Sequence, residues 1–215
     1  SYGSGDVKAV RIGMFGAIFR DGEETFFGVK YDKVESVLRQ IRAAKNDPDV
    51  KAIIFEVDSP GGEITSADEI YNALMDFKKS GEGRKVVAYV AGMAASGGYY
   101  ISLPADWIIA QPTAILGSIG VIMQTLNWKG LSEKIGITDT TIKSGTNKDL
   151  LNPFHDVPPE QIQLLQAVVD VDYSRFFNLV KKSRKFKDED LKTMADGRIF
   201  GATVALQKRF IDQIG

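Results

Sequence analysis

The 215-residue chain contains no cysteine and only one histidine, His155. Without thiols it can form no disulfide framework, no thiolate metal site and no cysteine-histidine dyad, although either redox compartment would tolerate it. One histidine leaves a Ser-His-Asp triad with a single candidate base and gives a metal no second imidazole. Nor is there an excess of one charge. The chain has 27 lysines and arginines against 28 aspartates and glutamates, a net charge of -1, with the cations scattered among acids. That pattern argues against nucleic acid as a partner. No apolar run approaches the ~18 residues that suggest a membrane span, and no signal peptide is visible. No Gly-x-x-x-x-Gly-Lys-Ser/Thr loop is present to cradle a phosphate. We therefore expect no cofactor and no metal.

What the chain does have is 44% hydrophobic residues, over a length that can bury a sizeable core. One soluble domain over residues 7–215 is expected, and residues 1–6 read as a linker remnant. Residues 7–12 alternate as a first strand, and residues 32–44 place Val34, Val37, Leu38 and Ile41 at helical spacing before Asp47-Pro48. The apolar run 51–57 then leads into Asp58-Ser-Pro-Gly-Gly62, and a helix over 66–79 carries Ile70, Leu74 and Phe77 on one face. Residues 86–90 predict a buried strand, followed by a helix from Ser96 to about Leu103. Residues 107–110 and 119–123 supply further strand candidates. This rhythm predicts an α/β fold of repeated parallel βαβ units. After Pro158-Pro159, a long amphipathic helix is expected over 160–183, with Ile162, Leu165, Val169, Phe176 and Val180 as its apolar set. The basic run Lys181-Lys-Ser-Arg-Lys185 reads as the solvated end of that helix, where cations favour the dipole.

Two segments could carry chemistry together: Gly92-Met-Ala-Ala-Ser-Gly-Gly-Tyr-Tyr100 and Lys143-Ser-Gly-Thr-Asn-Lys-Asp149. Ser96, set among small residues at a helix start, can be a nucleophile, and a desolvated lysine can be its base. Taken alone, Ser96 is equally a helix N-cap. The turn Asp58-Ser-Pro-Gly-Gly62 lies at the carboxyl end of a predicted parallel strand, where open α/β sheets place ligands. Its paired glycines can aim N–H groups at an oxyanion, although Pro-Gly-Gly is also ordinary turn chemistry.

In this order, Asp58-Ser-Pro-Gly-Gly62, Ala95-Ser-Gly-Gly-Tyr-Tyr100, Gly117-Ser-Ile-Gly-Val121 and Lys143-Ser-Gly-x-x-Lys-Asp149 resemble the signal peptide peptidase A family of serine proteases. Ala195-Asp-Gly-Arg-Ile-Phe-Gly201 and the residues after it resemble that family's C-terminal strand and helix. The resemblance implies a Clp protease/crotonase-like fold with the long helix in its C-terminal region. It implies Ser96 as nucleophile, Lys148 rather than Lys143 as general base, and Ser118 orienting the lysine. Gly62 and Gly97 would supply the oxyanion N–H groups. It further implies extended peptide substrates, namely signal peptides and other short or unfolded segments, with Met93, Tyr99 and Tyr100 as candidate pocket liners. A homo-oligomeric ring is implied, with active sites at subunit contacts and serine and lysine from neighbouring protomers. So is a membrane anchor preceding this segment, with the catalytic domain on the extracytoplasmic side of the cell membrane.

The base faces a severe demand. A free lysine has a pKa of about 10.4, and lowering it by roughly three units costs about 4 kcal/mol. Desolvation can supply that only if no carboxylate approaches the ammonium. Asp149, adjacent in sequence, is therefore expected to point away from Lys148. Competing readings are a crotonase-type acyl-coenzyme A enzyme, which uses the same paired N–H groups without a nucleophilic serine, and a catalytically silent scaffold. A Clp-type triad would instead recruit His155 with Asp156, whereas a loop between Pro153 and Pro158 suggests a surface histidine.

Overall fold

In the computed structural model, residues 7–20, 23–24 and 30–215 are described. The expected linker, residues 1–6, lies outside them. The chain divides into two compact units, one comprising residues up to Gly120 with Arg175–Gly215, the other Val121–Ser174.

The first unit is built on a mostly parallel sheet. Strand β1 (Lys8–Phe15) is followed by a short antiparallel pair, β2 (Glu23–Glu24) and β3 (Lys30–Tyr31), and then by helix α1 (Lys33–Asn46). Asp32 caps that helix by accepting the Glu35 N–H at 2.9 Å. Next come β4 (Val50–Ser59), α2 (Ile64–Lys79), β5 (Lys85–Ala95), the short α3 (Gly97–Tyr100), β6 (Trp107–Ala110) and β7 (Ile115–Gly117). The main sheet order is β1-β4-β5-β6, with parallel pairing throughout. The long β5 pairs with β6 through its first half and with β7 through Met93–Ala95. The expected parallel α/β architecture is therefore present.

Ile53, Phe55 and Val57 of β4, together with Val86, Ala88 and Val90 of β5, are fully or almost fully buried. They share the core with Val37 and Ile41 of α1 and Ile70, Leu74 and Phe77 of α2, the stripes that helical spacing predicts. Each large apolar side chain so buried contributes roughly 1.5–3 kcal/mol.

The second unit holds α4 (Lys129–Ile135), which ends at Gly136 in the left-handed conformation. It also holds the turns of residues 144–151 and the opening of α5 (Pro159–Arg184). From Arg175 onward α5 belongs to the first unit, where Phe176 and Val180 are buried. That unit closes with α6 (Asp188–Lys192), β8 (Ile199–Gly201), α7 (Ala202–Gln207) and β9 (Gln213–Ile214). β8 pairs antiparallel with β7, and β9 pairs parallel with β6.

One expected strand is misplaced. Residues 119–123 are irregular, and the strand precedes them at Ile115–Gly117. Gly117 at φ 101° and Ser118 at φ 50° turn the backbone out of the extended region. Only Ile119 of the apolar run is buried, and Ile122 is 85% exposed.

Candidate active site

β4 ends in a tight turn that Ser59 organises, its buried Oγ accepting the Gly61 N–H at 3.1 Å. Gly61 adopts φ 99°, which glycine takes without steric cost. Ile18 then brackets the turn, donating its N–H to the Gly61 carbonyl and accepting the Glu63 N–H, each at 2.9 Å. The fit is close enough that a Cβ on Gly62 would lie 2.3 Å from the Ile18 carbonyl oxygen. A Cβ on Gly97 would meet both Gly61 Cα and the Gly62 nitrogen at 3.3 Å. The Pro-Gly-Gly turn thus lies directly against the start of α3. Among the described residues, neither the Gly62 nor the Gly97 N–H has a backbone acceptor. Two free donors side by side are what an oxyanion requires.

Ser96 joins β5 to α3 at φ 52°, ψ -121°, a conformation that costs a non-glycine residue roughly 1–3 kcal/mol. Its N–H donates to the Gly117 carbonyl at 2.8 Å, and its carbonyl accepts from the Tyr100 N–H at 3.0 Å. An N-cap serine would bend its hydroxyl back onto the helix; Ser96 makes no such bond. The residue is half-buried, and among the described residues its hydroxyl has no partner. Ala95 pairs with Gly117 across β5 and β7, so the residues that follow, Ser96 and Ser118, leave neighbouring strand ends together. Both have φ near 50°. The Ser118 N–H is held by the Arg198 carbonyl at 2.8 Å, which links the position to the chain's closing segment.

Lys148 belongs to the second unit, on an exposed turn where its N–H donates to the Gly145 carbonyl at 3.0 Å. Among the described residues its ammonium makes no hydrogen bond or ion pair. The other lysine of the motif is committed elsewhere: Lys143 Nζ donates to the Thr146 carbonyl at 3.1 Å and to Asp149 Oδ1 at 2.6 Å. Asp149 thus engages Lys143, whose hydrogen bond holds its carboxyl below the ordinary range.

His155 is exposed and pairs through Nε2 with Asp139 at 2.9 Å. Asp139 also accepts from Thr141 Oγ1 and Asn152 Nδ2 at 2.8 and 3.0 Å, and these hydrogen bonds lower its carboxyl. Asp156 pairs with Lys129 instead. A His155-Asp156 couple is therefore not formed, because each residue has another partner. Asp139, Thr141, Asn152, His155 and Asp156 line a cleft of about 480 Å³ within the second unit.

Two of the three expected pocket liners lie in the core. Tyr99 and Tyr100 are 0% and 1% exposed, and burial pushes both phenols up. Tyr99 donates to the Phe210 carbonyl at 2.7 Å and Tyr100 to Asp68 Oδ1 at 2.5 Å. Their rings pack edge-on or tilted against Phe210, Tyr71 and Phe176. Both faces and hydroxyls are therefore used internally. Met93 is half-buried, and Asp58 accepts its N–H at 2.9 Å. Ile18 and Asp58 are site-shaping residues that sequence reasoning missed. An acid immediately ahead of Ser-Pro-Gly-Gly was the available signal for Asp58; Ile18 offered none.

The structure thus brings Ser96, Ser118, Gly62 and Gly97 together in the first unit, while Lys148 stands in the second. Comparison with known proteins adds a second line of argument. The sequence model for peptidase family S49 matches residues 78–215, and that for ClpP-like SDH-type serine proteinases matches residues 11–139. The chain is 38% identical, over 99% of its length, to an Enterococcus faecium protein named for signal peptide peptidase SppA. It is 35% identical, over 93% of its length, to protease 4 of Salmonella typhi, and 30% identical, over 84%, to the chloroplastic serine protease SPPA of Arabidopsis thaliana. It spans 61%, 31% and 26% of those proteins respectively.

Proposed function

The chain belongs to peptidase family S49, with a ClpP-like fold, and on that premise we propose that it is a serine endopeptidase with a Ser96–Lys148 dyad. The observation that carries the proposal is Ser96 itself. It is held at φ 52° with an uncommitted hydroxyl, beside two N–H groups that have no backbone acceptor. Neutral Lys148 removes the Ser96 proton, and the alkoxide attacks a peptide carbonyl whose developing charge the Gly62 and Gly97 N–H groups receive. The lysinium then protonates the departing amine, and water clears the acyl-enzyme by the same route. Ser118, beside Ser96, orients the lysine.

Lys148 is exposed in the single chain, so the desolvation that a lysine base needs must come with assembly. This supports a homo-oligomeric ring in which a neighbouring protomer completes each site. Cleaved signal peptides and other short or unfolded segments are the proposed substrates, in keeping with the names of the relatives. The proposed setting is the cell membrane, with the catalytic domain on its extracytoplasmic side. Among the described residues no helix is long and apolar enough to cross a membrane.

The test is hydrolysis of an unstructured apolar peptide over pH 6 to 10 by wild type, Ser96→Ala and Lys148→Ala, each checked for assembly by light scattering. Both variants should assemble and lose activity, and the wild-type rate should rise with a pKa well below that of free lysine. Retained activity in Lys148→Ala would place the base elsewhere. A wild type that neither cleaves nor takes a phosphonate label at Ser96 would favour the acyl-coenzyme A chemistry of the same fold.

A further inference from the structure

β4 and β5 fall out of step just before the nucleophile. Val57 pairs with Val90, yet Ser59 pairs with Ala94, so β4 advances two residues while β5 advances four. Residues 91–93 therefore stand opposite the single Asp58, and the two surplus residues bulge. A bulge leaves ladder donors without partners, and here one is supplied by a side chain. Asp58 Oδ1 accepts the Met93 N–H at 2.9 Å. The fit is specific to a glycine at the preceding position, since a Cβ on Gly92 would lie 2.8 Å from Asp58 Oδ1 and 3.1 Å from Oδ2. Asp58 is itself fixed through its backbone, whose carbonyl accepts the Gly16 N–H at 2.8 Å and which pairs in register with Phe15. Its carboxylate is otherwise exposed and enters no ion pair among the described residues. An exposed acid whose hydrogen bond serves the bulge three residues ahead of Ser96 is more than a solvated turn residue.

We propose that Asp58 is a positioning residue for the nucleophile. By holding the Met93 N–H it fixes the β5 bulge, and so sets how far Ser96 reaches past the Gly62 and Gly97 donors. The proposal rests on Ser96 being the nucleophile. Asp58 need not touch substrate. It ties the turn bearing one oxyanion donor to the strand bearing the nucleophile, so that both move as one body. Misplacement of a reacting atom by ~1 Å can cost on the order of 100-fold in rate, so a clamp on a bulge with two surplus residues has catalytic leverage.

The test is a set of steady-state measurements on the assembled chain with an unstructured apolar peptide. It compares wild type, Ser96→Ala, Asp58→Asn, Asp58→Ala, Gly92→Ala and the Asp58→Ala/Gly92→Ala double variant. Asp58→Asn keeps an oxygen acceptor in place and should stay within about threefold of wild type. Asp58→Ala should lose roughly tenfold or more in kcat with little change in KM. Gly92→Ala, whose methyl displaces the carboxylate, should lose a similar factor, and the double variant should lose no more than either alone, because both remove one interaction. Ser96-dependent activity that is unchanged in Asp58→Ala, or lost equally in Asp58→Asn, would overturn the positioning role alone, as would additive losses in the double variant. Activity that survives Ser96→Ala would overturn the nucleophile assignment and the proposal with it. Should Asp58→Ala fail to fold, Asp58→Asn and Gly92→Ala still decide the matter.

Discussion

At the scale of single residues, the glycines differ sharply in what they tolerate. A methyl on Gly62 would stand 2.3 Å from the Ile18 carbonyl oxygen, and both are backbone-fixed by the bonds that bracket the turn. Gly62→Ala must therefore shift the N–H proposed to receive the oxyanion. Losing one such donor costs about 100- to 1,000-fold in rate, and overpacking costs roughly 1–3 kcal/mol. Phosphonate labelling of Ser96 should slow by that factor, and a urea melt should show the matching loss of stability. Gly83 is the contrast. At φ 75° with nothing within 4 Å, its replacement by alanine should cost only ~1–2 kcal/mol of backbone strain and leave labelling unchanged. Gly62, Gly97 and Ser96 became candidates only through the order of several motifs, since a serine at a helix start and a Pro-Gly-Gly turn each have an ordinary reading when taken alone. Tyr99 and Tyr100 were not, since an aromatic pair suits a pocket or a core equally well. The outcome depended on Phe210 and Asp68, partners that sequence spacing does not reveal.

At the scale of elements, the edge of the sheet is fastened by a half-buried ion pair. Arg184, near the end of α5, has a side chain only 9% exposed and donates to both Asp212 oxygens at 2.8 and 3.0 Å. Asp212 Oδ2 also accepts the Ile108 N–H at 2.8 Å, while the Asp212 N–H returns to the Ile108 carbonyl at 2.9 Å, so the pair fastens the approach to β9 onto β6. Burial works to raise the Asp212 carboxyl, but the hydrogen bonds from Arg184 and Ile108 and the guanidinium charge outweigh it, and the net shift is downward. A depressed carboxyl stabilises the fold above its unfolded value, about 3.9, and that contribution is lost as pH falls through the lower folded value. Asp212→Asn should accordingly destabilise by about 2–3 kcal/mol near neutral pH, leaving Arg184 without its counter-charge, and the gap from wild type should close in acid. Thermal melts at pH 7 and pH 3 would check this; an equal deficit at both would refute it. The apolar runs and helical stripes that marked β4, β5, α1 and α2 in the sequence reflect extensive burial, whereas only Ile12 and Met14 of β1 are buried. The three-residue β7 carries too few residues for a period, and the apolar run after it drew the expected strand downstream.

At the scale of the whole molecule, the two residues of the proposed dyad fall in different compact units, Ser96 in one and Lys148 in the other. The motif order made both residues candidates, but whether a serine meets a lysine of its own chain or of another is a property of an assembly, which periodicity does not encode. If each site takes its serine from one protomer and its lysine from the next, then Ser96→Ala and Lys148→Ala are each inactive alone yet complementary. In a ring assembled at random from equal amounts, about one contact in four joins an intact Ser96 to an intact Lys148, so mixing and reassembly should restore roughly a quarter of wild-type activity. A dyad formed within one chain restores none at any ratio. Dilution separates the same alternatives, because exposed Lys148 would regain its ordinary hydration as protomers part. Specific activity should then fall with the loss of oligomer, tracked by light scattering, and full activity in the isolated protomer would show that one chain holds a complete site.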